Sequence, residues 1–343
     1  MELRKRRGLM AALIVVFIGI PTVFLTILLL AHAFDPRTYG PAGGYQTFTG
    51  LVDGILFIFG FIVAATLGCT AGSVDLTEGM FRHLVVTGRS RVALYLARIP
   101  AGLAILIPLV AAGFAIVCVV CVFAAPPKVN FDGLNLQPGL SRYAFVHYAE
   151  NHPGRTYCAL PYHGPQPINL PCGQNGQIVT KTPPGVTITP PSKAQLRAFV
   201  IKMAEQNYSA YAKTFRTPPI SLMVETGLWI ELEAALGFVI GLGLASLMGQ
   251  RTVPVVLMIV LEIILTPILL HNAIPHFVDV QRGLVGLAMA HIEPSALPPV
   301  FGGRGGGGGA GVTESTPVAI AVIIAWLVGW SALGTWRMAK RDA

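Results

Sequence analysis

The chain has 343 residues, of which 53% are hydrophobic and 12% charged. A soluble domain carries roughly 25% charged residues, so this composition excludes an ordinary cytosolic enzyme. The formal net charge of +8 follows from basic residues that flank apolar segments, not from a nucleic-acid footprint.

Stretches free of Asp, Glu, Lys and Arg cover 8–34, 54–74, 99 up to Lys128, 234–250 and 318–336, and a further stretch, 253–271, is interrupted only by Glu262. Each is close to the roughly 20 residues that cross a bilayer as a helix. The expected fold is therefore an all-α membrane protein with six transmembrane helices. The first span, at about residues 9–31, contains Pro21, which kinks a helix but is tolerated in membranes. Its apolar run is too long for a cleaved signal peptide and no small-residue cleavage site follows, so it reads as a retained signal anchor.

The second span ends near Ser73, and a polar stretch, 74–98, leads into the third, which exits at Pro126 and Pro127. The largest polar segment, 126–222, separates the third span from the fourth. Its prolines divide it into short extended pieces such as 176–182 and 185–189. One part reads as a helix: Ser192 can cap it, and Leu196, Phe199, Val200, Met203 and Tyr211 recur at helical spacing up to about Phe215. It should lie across a small domain or along the membrane surface. The fourth and fifth spans are joined by residues 248–252 alone, a tight hairpin. A second outer segment, 272–317, holds the glycine run 302–311, expected to be a flexible linker. The resulting organisation is 1–125 with three helices and the loop 74–98, a small extracytoplasmic domain over 126–222, and 223–343 with three more helices and the segment 272–317.

Orientation follows from the Lys and Arg residues, which cytoplasmic loops retain. One side carries Arg4, Lys5, Arg6, Arg7, Arg82, Arg89, Arg91, Arg98, Arg251, Arg337, Lys340 and Arg341. These 12 of the 24 basic residues fall in about 45 positions, against 12 in about 160 on the other side. Both termini are expected in the cytoplasm, and the Gly-, Ala- and Val-rich chain fits a bacterial plasma membrane, with lipid as its surroundings.

Five cysteines divide by location. Cys158 and Cys172 frame a proline-rich loop on the outer side, where an oxidising compartment favours a disulfide. Cys69, Cys118 and Cys121 lie in spans and read as small apolar packers. The His residues beyond span ends, such as His147, His276 and His291, match no metal-ligand spacing. No Walker loop, no His-Glu-x-x-His and no Gly-x-Ser-x-Gly occurs. The chain is thus expected not to be an enzyme and to hold no cofactor, and ATP hydrolysis, if transport is active, would belong to a partner.

Two places remain for function. Glu262 is an acid near the middle of the fifth span, where a charge is costly; it is either a contact in a translocation path or a buried hydrogen-bonding group. Asp53, Glu225, Glu231 and Glu233 are placed near outer span ends, where interfacial solvation suffices. On the cytoplasmic side, Asp75 and Glu78 have the spacing of a capping box, Leu76, Phe81, Leu84 and Val85 then share one helix face, and the helix should break at Gly88. A short amphipathic helix rimmed by Arg82, Arg89 and Arg91 suits docking into a groove of a cytosolic partner.

Glu78-Gly79, that short helix, Thr87-Gly88-Arg89-Ser90-Arg91 and then Arg98 resemble the loop between the second and third spans of type-2 ABC transporter permeases. That family commonly shows an acid and Gly, then Thr-x-Pro-x-Ser-Arg, then Lys. The six-span layout, the tight hairpin and the outer segment before the last span share the resemblance. Gly88 and Arg98 stand where Pro and Lys are common, and the segment 126–222 is far longer than is usual. The resemblance implies the membrane subunit of an ATP-driven exporter. It would pair with a second permease subunit and with cytosolic ABC-type ATPases, and Asp75, Glu78, Phe81, Arg82, Leu84, Arg89 and Arg91 would form the coupling segment. A non-transporting scaffold or sensor with an outer ligand-binding domain is the alternative.

Overall fold

The computed structural model describes residues 7–35, 39, 41–77, 90–162, 170–173, 178, 192–271, 274, 276–297 and 314–340. The first helical rod combines α1 (Arg7–Ile14), a π turn over Val15–Gly19 and α2 (Ile20–Phe34). The second combines α3 (Tyr45–Leu51), a π turn over Val52–Phe57 and α4 (Ile58–Thr77). After α5 (Arg91–Leu96) and α6 (Arg98–Phe123) the chain enters the segment 126–222, called the outer segment or outer domain after its expected position, and it returns in α10 (Ile220–Met248), α11 (Thr252–Ile259), a π turn over Val260–Leu265 and α12 (Thr266–His271). Two short helices, α13 (Val278–Arg282) and α14 (Val285–His291), precede the last rod, α15 (Thr316–Lys340).

Two of the π turns end two residues before a proline, Pro21 and Pro267. Proline has no N–H and its ring crowds the carbonyl four residues earlier; widening one turn relieves that crowding while the helix continues. Thr266 Oγ1 donates to the carbonyl of Leu261, five residues back, at 2.9 Å.

Among the described residues, four helices are long and apolar enough to cross a membrane: Met10–Phe34, Arg91–Phe123, Ile220–Met248 and Thr316–Lys340. A shorter apolar helix covers Phe59–Ser73. The second rod begins at Tyr45, earlier than the residue 54 set by treating Asp53 as a boundary; Gly44, with φ 91°, is the break, and Asp53 lies inside the helical run.

Backbones set the packing. Gly68 and Gly72 of α4 sit on the backbone of Phe238 and Leu242 in α10, and Gly237 and Gly241 of α10 sit on that of Phe61 and Ala65 in α4, each pair spaced by four as in the small-xxx-small pattern of membrane helices. A Cβ on Gly72 would lie 2.6 Å from the carbonyl oxygen of Leu242, and one on Gly237 would lie 2.8 Å from that of Phe61. On the other side of α10, a Cβ on Gly243 would lie 2.8 Å from the carbonyl of Trp330 in α15. α10 is thus the central post, buried from Leu236 to Ser246.

The outer segment has its own core and departs from an all-α reading. β1 (Val129–Phe131) and β2 (Leu134–Leu136) form an antiparallel hairpin pairing Val129 with Leu136 and Phe131 with Leu134. Its two-residue turn, Asp132 and Gly133, has φ of 46° and 87°, the positive values a type I′ turn requires. Three helices cover it: α7 (Arg142–Asn151), capped by Ser141, α8 (Pro153–Ala159), and α9 (Lys193–Tyr211). As expected, Ser192 starts α9, with a full capping box closed by Gln195. Phe199, Val200, Met203 and Tyr211 are buried with residues of the hairpin, α7 and α8, so α9 lies across the domain and not along the membrane surface, and it ends at Tyr211, short of Phe215. Of the extended pieces, only Ile178 is described, bridging Cys172; the rest, and the glycine run, lie outside the described residues.

Candidate functional site

At the end of the bundle away from the outer domain, Ser90 caps α5 by accepting a hydrogen bond from the amide of Ala93. Arg91 is the first residue of that helix. One turn on, Tyr95 is fully buried, with its hydroxyl over Gly334 of α15 and beside Ser246 of α10. Arg98 Nη1 donates to the carbonyl of Ala71 in α4 at 3.1 Å. The segment that leaves the loop is therefore bound to α4, α10 and α15 within two turns.

Asp75 does not open a helix. α4 runs through it to Thr77, because the apolar span continues without a break at Ser73. The capping-box reading for Asp75 and Glu78 is corrected accordingly. Glu78, Phe81, Arg82, Leu84 and Arg89 lie outside the described residues, as does the side chain of Asp75. Glu262 falls on the π turn over Val260–Leu265, a local geometry frequent at functional sites; its side chain is outside the described residues.

Inside the bundle the structure brings forward a residue that span-end reasoning placed elsewhere. Glu233 is not interfacial: it is 2% exposed and packed within α10. One turn before it, Trp229 is stacked on Phe57 at 4.6 Å between ring centroids and donates through Nε1 to the carbonyl of Met289, 3.0 Å away. α14 is thus drawn into the bundle, with Val285 to Met289 buried. Glu293, just beyond it, is also buried. A search for the helical phase of α10 would have put Glu233 on the same face as Ile230 and Gly237, both buried.

At the outer end, Cys158 and Cys172 form the expected disulfide, with Cα atoms 5.6 Å apart. Tyr157 Oη accepts from the amide of Leu170 at 2.9 Å, so the strand is fixed on both sides of the bridge. Cys69 and Cys121 are buried free thiols and Cys118 is half-buried, consistent with packing. Among the described residues no three of His, Cys, Asp and Glu gather as a metal site. His147 lies 3.8 Å from Glu150, and His291 contacts the Thr316 hydroxyl at 3.2 Å.

The outer domain meets the bundle through a few polar ties: the Tyr45 amide donates to the carbonyl of Arg216, and Gln46 Nε2 donates to that of Asn130 at 2.6 Å. Elsewhere the Gly44 amide donates to the carbonyl of Cys121 in α6, and Tyr45 Oη donates to that of Ala296. Comparison with known protein families, curated proteins and solved structures finds no match for the chain.

Proposed function

We propose that the chain is the membrane subunit of an ATP-driven, ABC-type exporter, with six spans, both termini cytoplasmic and the segment 126–222 outside the cell. In this reading the second and fifth spans are the rods 45–77 and 252–271, each carrying a π turn as the first does. Two such subunits, or one and a similar partner, enclose the path. Cytosolic ATPases hydrolyse ATP and drive alternating access.

The observation that carries the reading is the anchoring of α5. A displacement of the loop 78–89 by a docked partner would pass through Arg98 to α4 and through Tyr95 to α10 and α15. A mere connector has no need of a fully buried tyrosine one turn after its last basic residue. The two short helices before the last span, of which α14 is buried, add to the resemblance stated from the loop residues. A scaffold or sensor is the second reading, favoured by the separate core of the outer domain.

The test is association and ATP turnover with candidate ATPases in lipid. Phe81→Ala should cost roughly 1 to 3 kcal/mol of association if that side chain is a buried anchor. The scaffold reading requires association and turnover to be absent for parent and variant alike, while changes in the outer domain alter ligand binding.

A further inference from the structure

Where α3 and α6 meet the outer domain there is a cavity of about 510 Å³, lined by His32, Gln46, Lys128, Asn135 and Arg216 among others, and none of the described residues lining it is acidic. Lys128 is exposed and makes no ion pair among the described residues. Arg216 donates through Nε to the carbonyl of Pro126 at 3.0 Å, which holds its guanidinium at the mouth and leaves its terminal N–H groups for another acceptor. Two cations with amide donors and no carboxylate form a site for an anion with several oxygens.

The surroundings say which anion. α2 and α6, both long and apolar enough to cross a membrane, end beside the cavity at Phe34 and Phe123, which are 86% and 87% exposed. Leu30 and Val119, one turn inward, are 54% exposed as well. An apolar flank of two spans thus leads straight to a basic polar chamber, at the level where acyl chains give way to headgroups. We propose that the cavity receives the phosphate-bearing headgroup of an anionic membrane lipid, its chains lying along α2 and α6. The inference needs only that these two helices cross a membrane, and stands apart from the exporter reading.

The experiment is native mass spectrometry of the full-length protein in detergent, titrated with phosphatidylglycerol or phosphatidylcholine. Retention of phosphatidylglycerol should exceed that of phosphatidylcholine roughly fivefold or more, as expected for basic residues meeting an anionic headgroup. Lys128→Glu should bring it down to the phosphatidylcholine level. Arg216→Gln should do the same, but it also releases Pro126, so Lys128→Glu, with an unchanged thermal midpoint, carries the test. Equal retention of the two lipids, or a preference that survives Lys128→Glu, overturns the proposal. Displacement of the lipid by millimolar glycerol 3-phosphate, with tighter binding of the soluble anion, overturns it in favour of a water-borne ligand.

Discussion

In the bundle the closest approaches are between backbones, whereas in the outer domain they are between rings. Gly68 and Gly72 let α4 sit on the carbonyls of α10, and Gly237 and Gly241 return the contact. Outside, Phe145 stacks on Tyr211 at 4.5 Å, Phe131 meets both rings edge-on, and Tyr211 Oη accepts from the amide of Leu140 at 3.0 Å while donating to the carbonyl of Gln137. The solvent explains the contrast. Lipid tails are as apolar as leucine, so helices gain little by hiding side chains and more by close contact of small residues. Water rewards aromatic burial, caps and a covalent staple instead.

The sharpest way to break the comparison is to add a side chain to the seam. A Cβ at Gly241 would overlap the Ala65 carbonyl and one at Gly68 would overlap that of Phe238, and neither backbone can swing aside. Gly241→Val and Gly68→Val should each cost about 3 kcal/mol or more. The expected result is loss of the monodisperse species in size-exclusion chromatography. Gly50, with nothing within 4 Å of an added Cβ, is the control, since Gly50→Ala should be neutral or gain about 0.5 kcal/mol. Gly102 sharpens the point: the nearest atoms to its added Cβ belong to the ring of Phe238, a side chain and not a backbone, so Gly102→Ala should cost less than either seam variant. Normal behaviour of Gly241→Val would mean that the bundle is not held by backbone contact.

The outer domain should answer to a different change. Replacing Cys158 and Cys172 by Ser removes a bridge across 14 positions, worth about 3 kcal/mol for a loop of this length. Hydrogen exchange on the full chain should then show faster exchange in α8 and around Leu170, with α4 and α10 unchanged. Faster exchange in α10 would mean the two regions fold as one unit.

Much of the outer domain was legible where local chemistry decides structure. Ser192 with Gln195 three residues later, and two cysteines framing one proline-rich loop, need little context. The hairpin was equally written, in Phe131-Asp132-Gly133-Leu134, but a proline-based division of the segment passes over it. In the bundle, apolar runs locate the spans but not their contacts. Gly68-x-x-x-Gly72 and Gly237-x-x-x-Gly241 were there to be read, yet what each pair packs on depends on which helices are neighbours. The depth of Glu233 was hidden for the same reason: an acid near a span end is ordinary at an interface and differs only when tertiary packing buries it. The loop from Glu78 to Arg89 stands on resemblance, and its anchor at Tyr95 and Arg98 emerges only from tertiary contacts.

A smaller effect is expected at the cap of α9. Ser192 Oγ accepts from the amide of Gln195 at 3.2 Å, and Gln195 Oε1 accepts from the amide of Ser192 at 2.9 Å. Ser192→Ala should cost about 1 kcal/mol and speed amide exchange in the first turn of α9 several-fold, without change in the seam. No change there would place the stability of α9 wholly in its buried face.

The smallest effect belongs to the bundle, where the last rod begins beside α13. Glu314 lies two residues before α15, and its carboxylate oxygens are buried without a hydrogen-bond partner. Burial pushes this carboxyl above the usual glutamate value, and the nearby Arg282 guanidinium offsets part of that shift. The folded chain therefore holds the proton more readily than the unfolded chain does. By linkage, the contribution of this group to stability is present below the unfolded value, about 4.3 for an ordinary glutamate, and is lost as the pH rises through the raised folded value. Glu314→Gln keeps the shape and removes the titration. The thermal midpoint of this variant should match the parent near pH 4 and exceed it modestly near pH 7, where the parent must hold a buried carboxylate. An advantage that is the same at both pH values would assign the gain to packing, and a loss near pH 7 would mean that attraction to Arg282 outweighs the cost of burial.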